Sequence, residues 1–418
     1  MLKTLTLRVF ARISSCPLCL NSKSSAYIIE EILGSGTFGL AVKSHKTATN
    51  EKVVLKMAKK TITTSTEEFI LTQLKAINPD KYNLVRWEYS FVCDGHLWQE
   101  FELLDISLKE FLHLRGTLSL IEIRPIIHQL ATALEALKNL GIVHADLKPQ
   151  NIMMVDHELQ PLKVKVIDFG CSTSVHNVPE GWKPQTRWYR APEVLLGLPC
   201  TEAIDMWSLG CIAVELFHGL ELYPGDCEYD MIWSIAQIMT PEEYGVPNVK
   251  CFTILDELKK TNQESVDHLL TVDSLVYTTD LEDFVELVME MLQLDPSKRI
   301  TPRQVLQHRF ITMQSMLHFL DASSFAQWLH ASFHFGGASS FFGVSAWLKQ
   351  VFSQRKAGHC GESRAVCYRH ERSQASSESH QLSTAAARGA AAEKYTCLLH
   401  TVSKSKTEET WTVSRNCY

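Results

Sequence analysis

The 418-residue chain has no uninterrupted apolar run of about 18 residues or more, so no segment reads as a helix that crosses a bilayer. It also lacks a basic excess. The formal net charge is −6, and lysine and arginine form no stripe interleaved with aromatics, which argues against direct nucleic-acid binding. Twelve cysteines are present without metal-ligand spacing: the close pair Cys16 and Cys19 has no second CxxC and no histidine pair to complete a zinc site. They read as free thiols of a reducing compartment. No internal repeat occurs. Acids are absent ahead of Glu30, where Lys3, Arg8, Arg12 and Lys23 carry the only charges; this is the bias of an organelle transit peptide and equally of a short leader.

What is present is dense hydrophobic patterning from Tyr27 to about Phe310, the span of one two-lobed unit. Residues 27–104 are strand-rich: "AYIIEEILGSG", "EKVVLKMA" and "HLWQEFELL" read as short strands, with Asp94-Gly95 as a hairpin turn and one helix around residues 66–77. From residue 105 to 310 helices dominate. "IRPIIHQLATALEALKNLG" puts Ile127, Leu130, Leu134 and Leu137 on one face and stops at Gly141. "AIDMWSLGCIAVELFHG" is apolar nearly all round and stops at Gly219, which marks a buried central helix. "DPSKRITPRQVLQHRF" reads as a last capped helix. The expected fold class is α+β, bilobal, with a small β-rich N-lobe and a large helical C-lobe. Residues 1–26 read as an irregular leader. Residues 311–418 read as a low-complexity extension, whose aromatic stretch "FAQWLHASFHFGG" either docks on the large lobe or a partner or stays irregular.

Gly34, Ser35, Gly36, Thr37, Phe38 and Gly39 form a GxGxxG between two strand patterns. A dinucleotide fingerprint needs a helix after the third glycine, so the alternatives are a hairpin whose amides approach ATP phosphates and an ordinary glycine-rich turn. In "VVLK", Val54 and Lys56 lie two apart on one strand face, which aims an ammonium into the cleft under that loop. The helix that follows offers Glu67 and Glu68. Glu67 shares its face with Ile70, Leu71 and Leu74 and is the expected partner; two solvated glutamates is the competing reading. The strongest signal is "VHADLKPQNIMMV" followed by "VKVIDFGCS". Asp146 can orient a hydroxyl and accept its proton, Lys148 can steady a moving phosphoryl group, and Asn151 and Asp168 offer hard oxygen ligands for Mg2+.

These residues resemble the eukaryotic protein kinases over about residues 27–310. "TRWYRAPE" resembles the group of cyclin-dependent, mitogen-activated and dual-specificity tyrosine-regulated kinases. "HADLKP", "VKVIDFG", "LGLPCTEAIDMWSLGC" and "LYPGDCEYD" resemble the homeodomain-interacting protein kinases within it. The resemblance implies ATP and Mg2+ as cofactors and Asp146, Lys148, Lys56 and Glu67 as catalytic residues. It adds a Glu193–Arg299 clamp and an Asp205 brace for the catalytic loop. Adenine would meet Ala41 and Val54, with Met153 beneath it, Phe101 behind it and the backbone of Glu102 and Leu104 at its edge. The implied reaction is transfer to Ser or Thr, often ahead of proline, with Thr186 near the acceptor. Implied partners are protein substrates and signalling or transcription-related proteins, with a monomeric protein in nucleus or cytoplasm.

Four departures stand out. Ala145 replaces the catalytic-loop arginine of most kinases, as it does in the homeodomain-interacting group. Lys183 stands where that group has an activation-loop tyrosine, which leaves an ionic contact of Lys183 as a substitute. Ala41 and Val54 exchange a usual valine and alanine, two side chains expected to face each other across the base with pocket volume kept. Gln150 replaces a glutamate whose backbone matters more than its side chain. The reading from another class is a catalytically silent scaffold, against which stand Lys56, Asp146 and Asp168, all three retained.

Overall fold

The computed structural model describes residues 19–22, 25–35, 39–58, 63–179, 181–239 and 272–315. Gly36, Thr37, Phe38, Cys16 and nearly all of the C-terminal extension lie outside them.

Six strands build the N-terminal sheet in the order β1-β2-β3-β4-β6-β5, all antiparallel. They are β1 (Cys19–Asn21), β2 (Ala26–Ser35), β3 (Gly39–Lys46), β4 (Glu51–Ala58), β5 (Trp87–Cys93) and β6 (His96–Glu102). Alternation sorts their side chains. Leu40 and Val42, with Val53, Leu55 and Met57, fill a cluster on one face with Tyr27, Phe91 and Trp98. That leaves Ala41, Val54 and Lys56 on the other face. The β5–β6 hairpin turns on Asp94 and Gly95 at φ of 51° and 75°, the two left-handed residues of a tight two-residue turn. β1 corrects the expectation of an irregular leader up to residue 26. Leu20 is buried in the sheet's outer cluster, and Ser22 Oγ meets Tyr89 Oη at 3.1 Å.

Helix α1 (Thr63–Ala76) lies between β4 and β5 and adds Ile70, Leu71 and Leu74 to a second, larger cluster. That cluster continues into the helical region through α2 (Leu108–Arg115), α3 (Leu120–Asn139), α4 (Pro192–Leu195), α5 (Ala203–His218), α6 (Glu228–Met239), α7 (Val272–Met291), α8 (Pro302–Gln307) and α9 (Arg309–Thr312). Local chemistry sets several ends. Ser107 and Glu110 form a capping box on α2, as Thr301 and Gln304 do on α8. Gly219 ends α5 at φ 85°. Every residue of α5 from Ile204 to Leu216 is buried, as an all-round apolar helix requires; each large apolar side chain so placed contributes about 2 kcal/mol. Among the described residues no helix is long and apolar enough to cross a membrane.

Two short ladders then set up the site. β7 (Ile142–Val143) pairs with β10 (Thr173–Ser174), and β8 (Ile152–Asp156) pairs with β9 (Gln160–Val166). The loop 144–151 runs from β7 to β8 and the loop 167–172 from β9 to β10, so pairing these strands brings the two loops side by side.

Candidate active site

Lys56 points from the under-face of β4, and its Nζ lies 2.7 Å from Glu67 Oε1 on α1 and 2.7 Å from Asp168 Oδ1 in the loop after β9. Glu67 is buried with Ile70, Leu71 and Leu74 on the inner face of α1, while Glu68 is only half-buried. Helical spacing had singled out this glutamate. Burial opposes the ammonium's charge, but Asp168 and Glu67 outweigh it and hold the Lys56 pKa above its ordinary value. Burial would likewise push the Asp168 carboxyl up; the charge and hydrogen bond of Lys56 prevail and hold it below the usual range. The three groups form a charged unit.

The loop 144–151 takes its shape from α5. Asp205, deeply buried, accepts hydrogen bonds from the backbone N–H of His144 at 2.7 Å and of Ala145 at 2.9 Å. Burial pushes the Asp205 carboxyl up, against the pull of His144 and these two N–H groups. The brace holds Ala145 at φ 66°, a left-handed conformation that costs a residue with a Cβ about 1–2 kcal/mol. Asp168 has the same strain at φ 62°. Beyond Ala145, Asp146 is buried and crowded with donors. Lys148 Nζ donates to its Oδ2 at 2.7 Å, and Thr186 donates to its Oδ1 through Oγ1 at 2.7 Å and through its backbone N–H at 3.0 Å. Lys148 also reaches Thr186 Oγ1 at 2.8 Å. A carboxylate, an ammonium and a hydroxyl thus meet at one point.

Asn151 and Asp168 suit a hard cation. The Asn151 amide nitrogen donates to Asp146 O at 2.8 Å and Oδ2 at 3.1 Å, so Oδ1 is the atom that would face a cation. Asp168 Oδ1 accepts from Lys56 and from Gly170 N, so Oδ2 is the oxygen left for a metal. Two oxygens of this kind, with phosphate and water completing the shell, fit the preference of Mg2+.

On the side away from this cluster, Phe101 is buried at the end of β6 and Val54 is its cross-strand partner. Ala41 pairs with Lys56, and Lys43 with Val54. Ala41 and Val54 are therefore diagonal neighbours on one sheet face. This corrects the expectation that they face each other across the base: strand alternation gives both the same side, so they form one surface. Met153 lies on β8 and Leu104 in the segment after β6. Glu102 uses its side chain elsewhere, on Lys165 Nζ at 2.6 Å and on the backbone N–H of Arg86 at 2.6 Å. Lys165 reaches Asp80 too. This ionic knot at the back of the segment joining the two lobes escaped the sequence reading, because nothing local links Lys165 to Glu102. Gly34 and Ser35 end β2, and Gly39 opens β3 at φ 147°. A Cβ on Gly39 would fall 1.9 Å from the carbonyl oxygen of Met57, so the third glycine is required by close strand approach.

Residues 27–311 match the Protein kinase domain. The chain belongs to the protein kinase family. It is 39% identical over 348 residues to the homeodomain-interacting protein kinase 1 of Mus musculus, covering 72% of this chain and 29% of that protein. Identity to the homeodomain-interacting protein kinase 2 of Mus musculus is 39% over 344 residues, 71% of this chain and 29% of the relative. For the homeodomain-interacting protein kinase 4 of Homo sapiens it is 33% over 349 residues, 71% of this chain and 57% of the relative. The chain thus spans under a third of the length of the first two relatives.

One further contact of this kinase domain follows the resemblance, and a second, at Gln185, was not foreseen. Arg299 holds Glu193 through two parallel bonds of 2.6 and 3.0 Å, both side chains buried. Gln185, at φ 68°, sends its amide to Ile204 O at 2.8 Å and Ser208 Oγ at 2.9 Å, which fixes the residue before Thr186. Among the described residues, Cys19, Cys93, Cys171, Cys200, Cys211 and Cys227 form no disulfide.

Proposed function

We propose that this chain is a Mg2+-dependent protein serine/threonine kinase that passes the γ-phosphoryl group of ATP to a protein hydroxyl. One observation carries the reading: Lys56 with Glu67 and Asp168, and Asp146 with Lys148, Asn151 and Thr186, form two adjoining charge clusters at the mouths of two paired loops. In this reading Lys56 holds the α- and β-phosphates, and Asn151 and Asp168 hold the metal. Asp146 orients the acceptor hydroxyl and takes its proton as the oxygen–phosphorus bond forms, and the bond to the departing ADP oxygen breaks. Lys148 offsets charge on the moving group. Adenine rests against Ala41, Val54, Phe101 and Met153 with the backbone of Glu102 and Leu104 at its edge, and the catalytic unit runs over residues 27–310. Catalysis is then positioning plus electrostatic stabilisation.

Preference for proline after the acceptor has its own support. The Gln185 carbonyl accepts from Arg190 Nη2 at 2.9 Å, so the acceptor next to Thr186 is already committed within the chain. A substrate residue without an N–H loses nothing there. Partners in this proposal are signalling or transcription-related proteins of the nucleus or cytoplasm.

The test is transfer of labelled phosphate from Mg-ATP to a Ser-Pro peptide. Asp146→Asn is expected to lower the rate about 100- to 10,000-fold, the range for a positioned general base. ATP binding by the parent chain with no transfer to any peptide or protein would instead make it a kinase-like scaffold.

A further inference from the structure

The segment between Asp168 and Glu193 must hold Thr186 against Asp146, and its anchors include two cations on one carboxylate. Lys183 Nζ lies 2.9 Å from Glu228 Oε2 and 3.1 Å from Oε1, and Arg190 Nη1 lies 3.1 Å from the same Oε1. One carboxylate thus bridges two cations that flank Thr186 on either side in sequence. Arg190 is well covered and also binds the carbonyls of Pro184, at 3.0 Å, and Gln185. Between them, Arg187 donates to the carbonyl of Asp226, and Trp188 Nε1 to that of Gly225 at 3.1 Å. Four successive contacts therefore tie residues 183–190 to the turn 225–228. That turn is itself pinned: Asp230 accepts from the N–H of Asp226 at 3.2 Å and of Cys227 at 3.1 Å, which sets Glu228 on the first turn of α6.

An added phosphate orders such a segment by giving cations a dianionic partner. Here the anion is already encoded. Tyrosine is absent at position 183, and the residue there is a cation aimed at Glu228. The catalytic loop contributes no charge of its own at Ala145. We propose that Glu228 is the resident anion of the activation segment: by bridging Lys183 and Arg190 it holds Thr186 in register with Asp146 and Lys148, and transfer needs no prior phosphorylation of residues 168–193. Glu228 is a positioning residue that touches neither nucleotide nor acceptor. The inference rests on the kinase reading above and assigns the means by which that site is kept in working order.

The experiment starts with the full chain treated with a broad-specificity protein phosphatase, with loss of phosphate from residues 168–193 checked by mass spectrometry. The treated protein is expected to phosphorylate peptide as fast as the untreated one. Glu228→Gln, nearly the same shape without the charge, should lower kcat/KM for peptide about fivefold, the factor equivalent to about 1 kcal/mol. KM for ATP should not move, because the nucleotide contacts lie elsewhere, and Glu228→Asp should recover part of the loss. A general loss of folding would instead lower the apparent kcat and leave both KM values unchanged, so rates are taken per ATP-binding site titrated. Trypsin cleavage after Arg187, which needs no catalysis, is the second readout and should run faster in Glu228→Gln than in the parent. Loss of activity on phosphatase treatment, or a Glu228→Gln protein that matches its parent in peptide kinetics and trypsin resistance, overturns the proposal. A parent that binds ATP and transfers nothing, yet shows the trypsin difference, overturns the kinase reading and leaves the anchoring role of Glu228 standing.

Discussion

The cluster at Lys56 and the cluster at Glu228 are inverse arrangements of three charges. In the first, one ammonium sits between two carboxylates in a covered cleft; in the second, one carboxylate sits between two cations nearer the surface. Side-chain exposure separates their main pairs, 14% for Lys56 and 8% for Glu67 against 55% for Lys183 and 40% for Glu228, while the third members, Asp168 at 23% and Arg190 at 15%, overlap. Water screens the second cluster and hardly reaches the first. The same number of charges therefore does different work. The covered cluster is costly to break, because removing one member strands the others away from solvent. The open cluster costs little to break in stability and acts through geometry, by setting where Thr186 lies.

That contrast can be tested most severely at its covered end. Lys56→Met leaves Glu67 and Asp168 facing the cleft without a cation, and transfer should fall by about 100- to 1,000-fold, the loss for one preorganised charge-stabilising donor. Initial rates at saturating Mg-ATP measure it. A fall of only a few-fold would put Lys56 in the same class as Lys183 and erase the distinction.

Acid is the next probe. The Asp168 carboxyl is held below the usual 3.8 by Lys56 once burial is overcome, so its contribution to stability is complete above the unfolded value and is lost as pH drops through the lower, folded one. Lys56 works in the opposite sense: its pKa is raised above 10.5, so its contribution is complete below that value and is lost only as pH rises past the folded one. The difference in Tm between the parent and Asp168→Asn should accordingly hold steady from neutral pH down to about pH 5 and shrink only in stronger acid. A difference that fades between pH 7 and pH 5 would contradict the ordering of these charges.

Much of the covered cluster, and of the Asp146 cluster beside it, was readable in the sequence. Strand alternation aimed Lys56, a helical face chose Glu67 over Glu68, and short fixed spacings joined Asp146, Lys148 and Asn151. These are local periodicities, which a sequence records directly. The open cluster was half readable: Lys183 could be singled out, but its partner lies 45 positions away on another element, and no spacing rule reaches that far. Glu102 and Lys165, 63 apart, were hidden for the same reason. The left-handed Ala145 and Gln185 were hidden differently. Neither residue type favours that conformation, which is imposed by Asp205 in one case and by Ser208 and Ile204 in the other. β1 was too short, at three residues, to show any alternation. Ala41 and Val54 were expected to oppose each other and instead share one sheet face, because pairing register, and not residue size, decides which side chains oppose one another.

The smallest effect belongs to Lys183→Ala. Arg190 and the carbonyl contacts of Arg187 and Trp188 remain, so the segment keeps most of its anchors, and an exposed ion pair contributes about 0–1 kcal/mol. Peptide kcat/KM should drop about two- to threefold at low ionic strength. Because the pair is open to water, raising the salt concentration should weaken it in the parent as well, and the two proteins should converge; at about 1 M salt the screening length is roughly 3 Å, the length of the contact itself. Lys56→Met and its parent should stay far apart under the same salt, since their cluster is covered. A Lys183 effect that survives high salt, or a Lys56 effect that does not, would mean that burial is not what divides the two clusters.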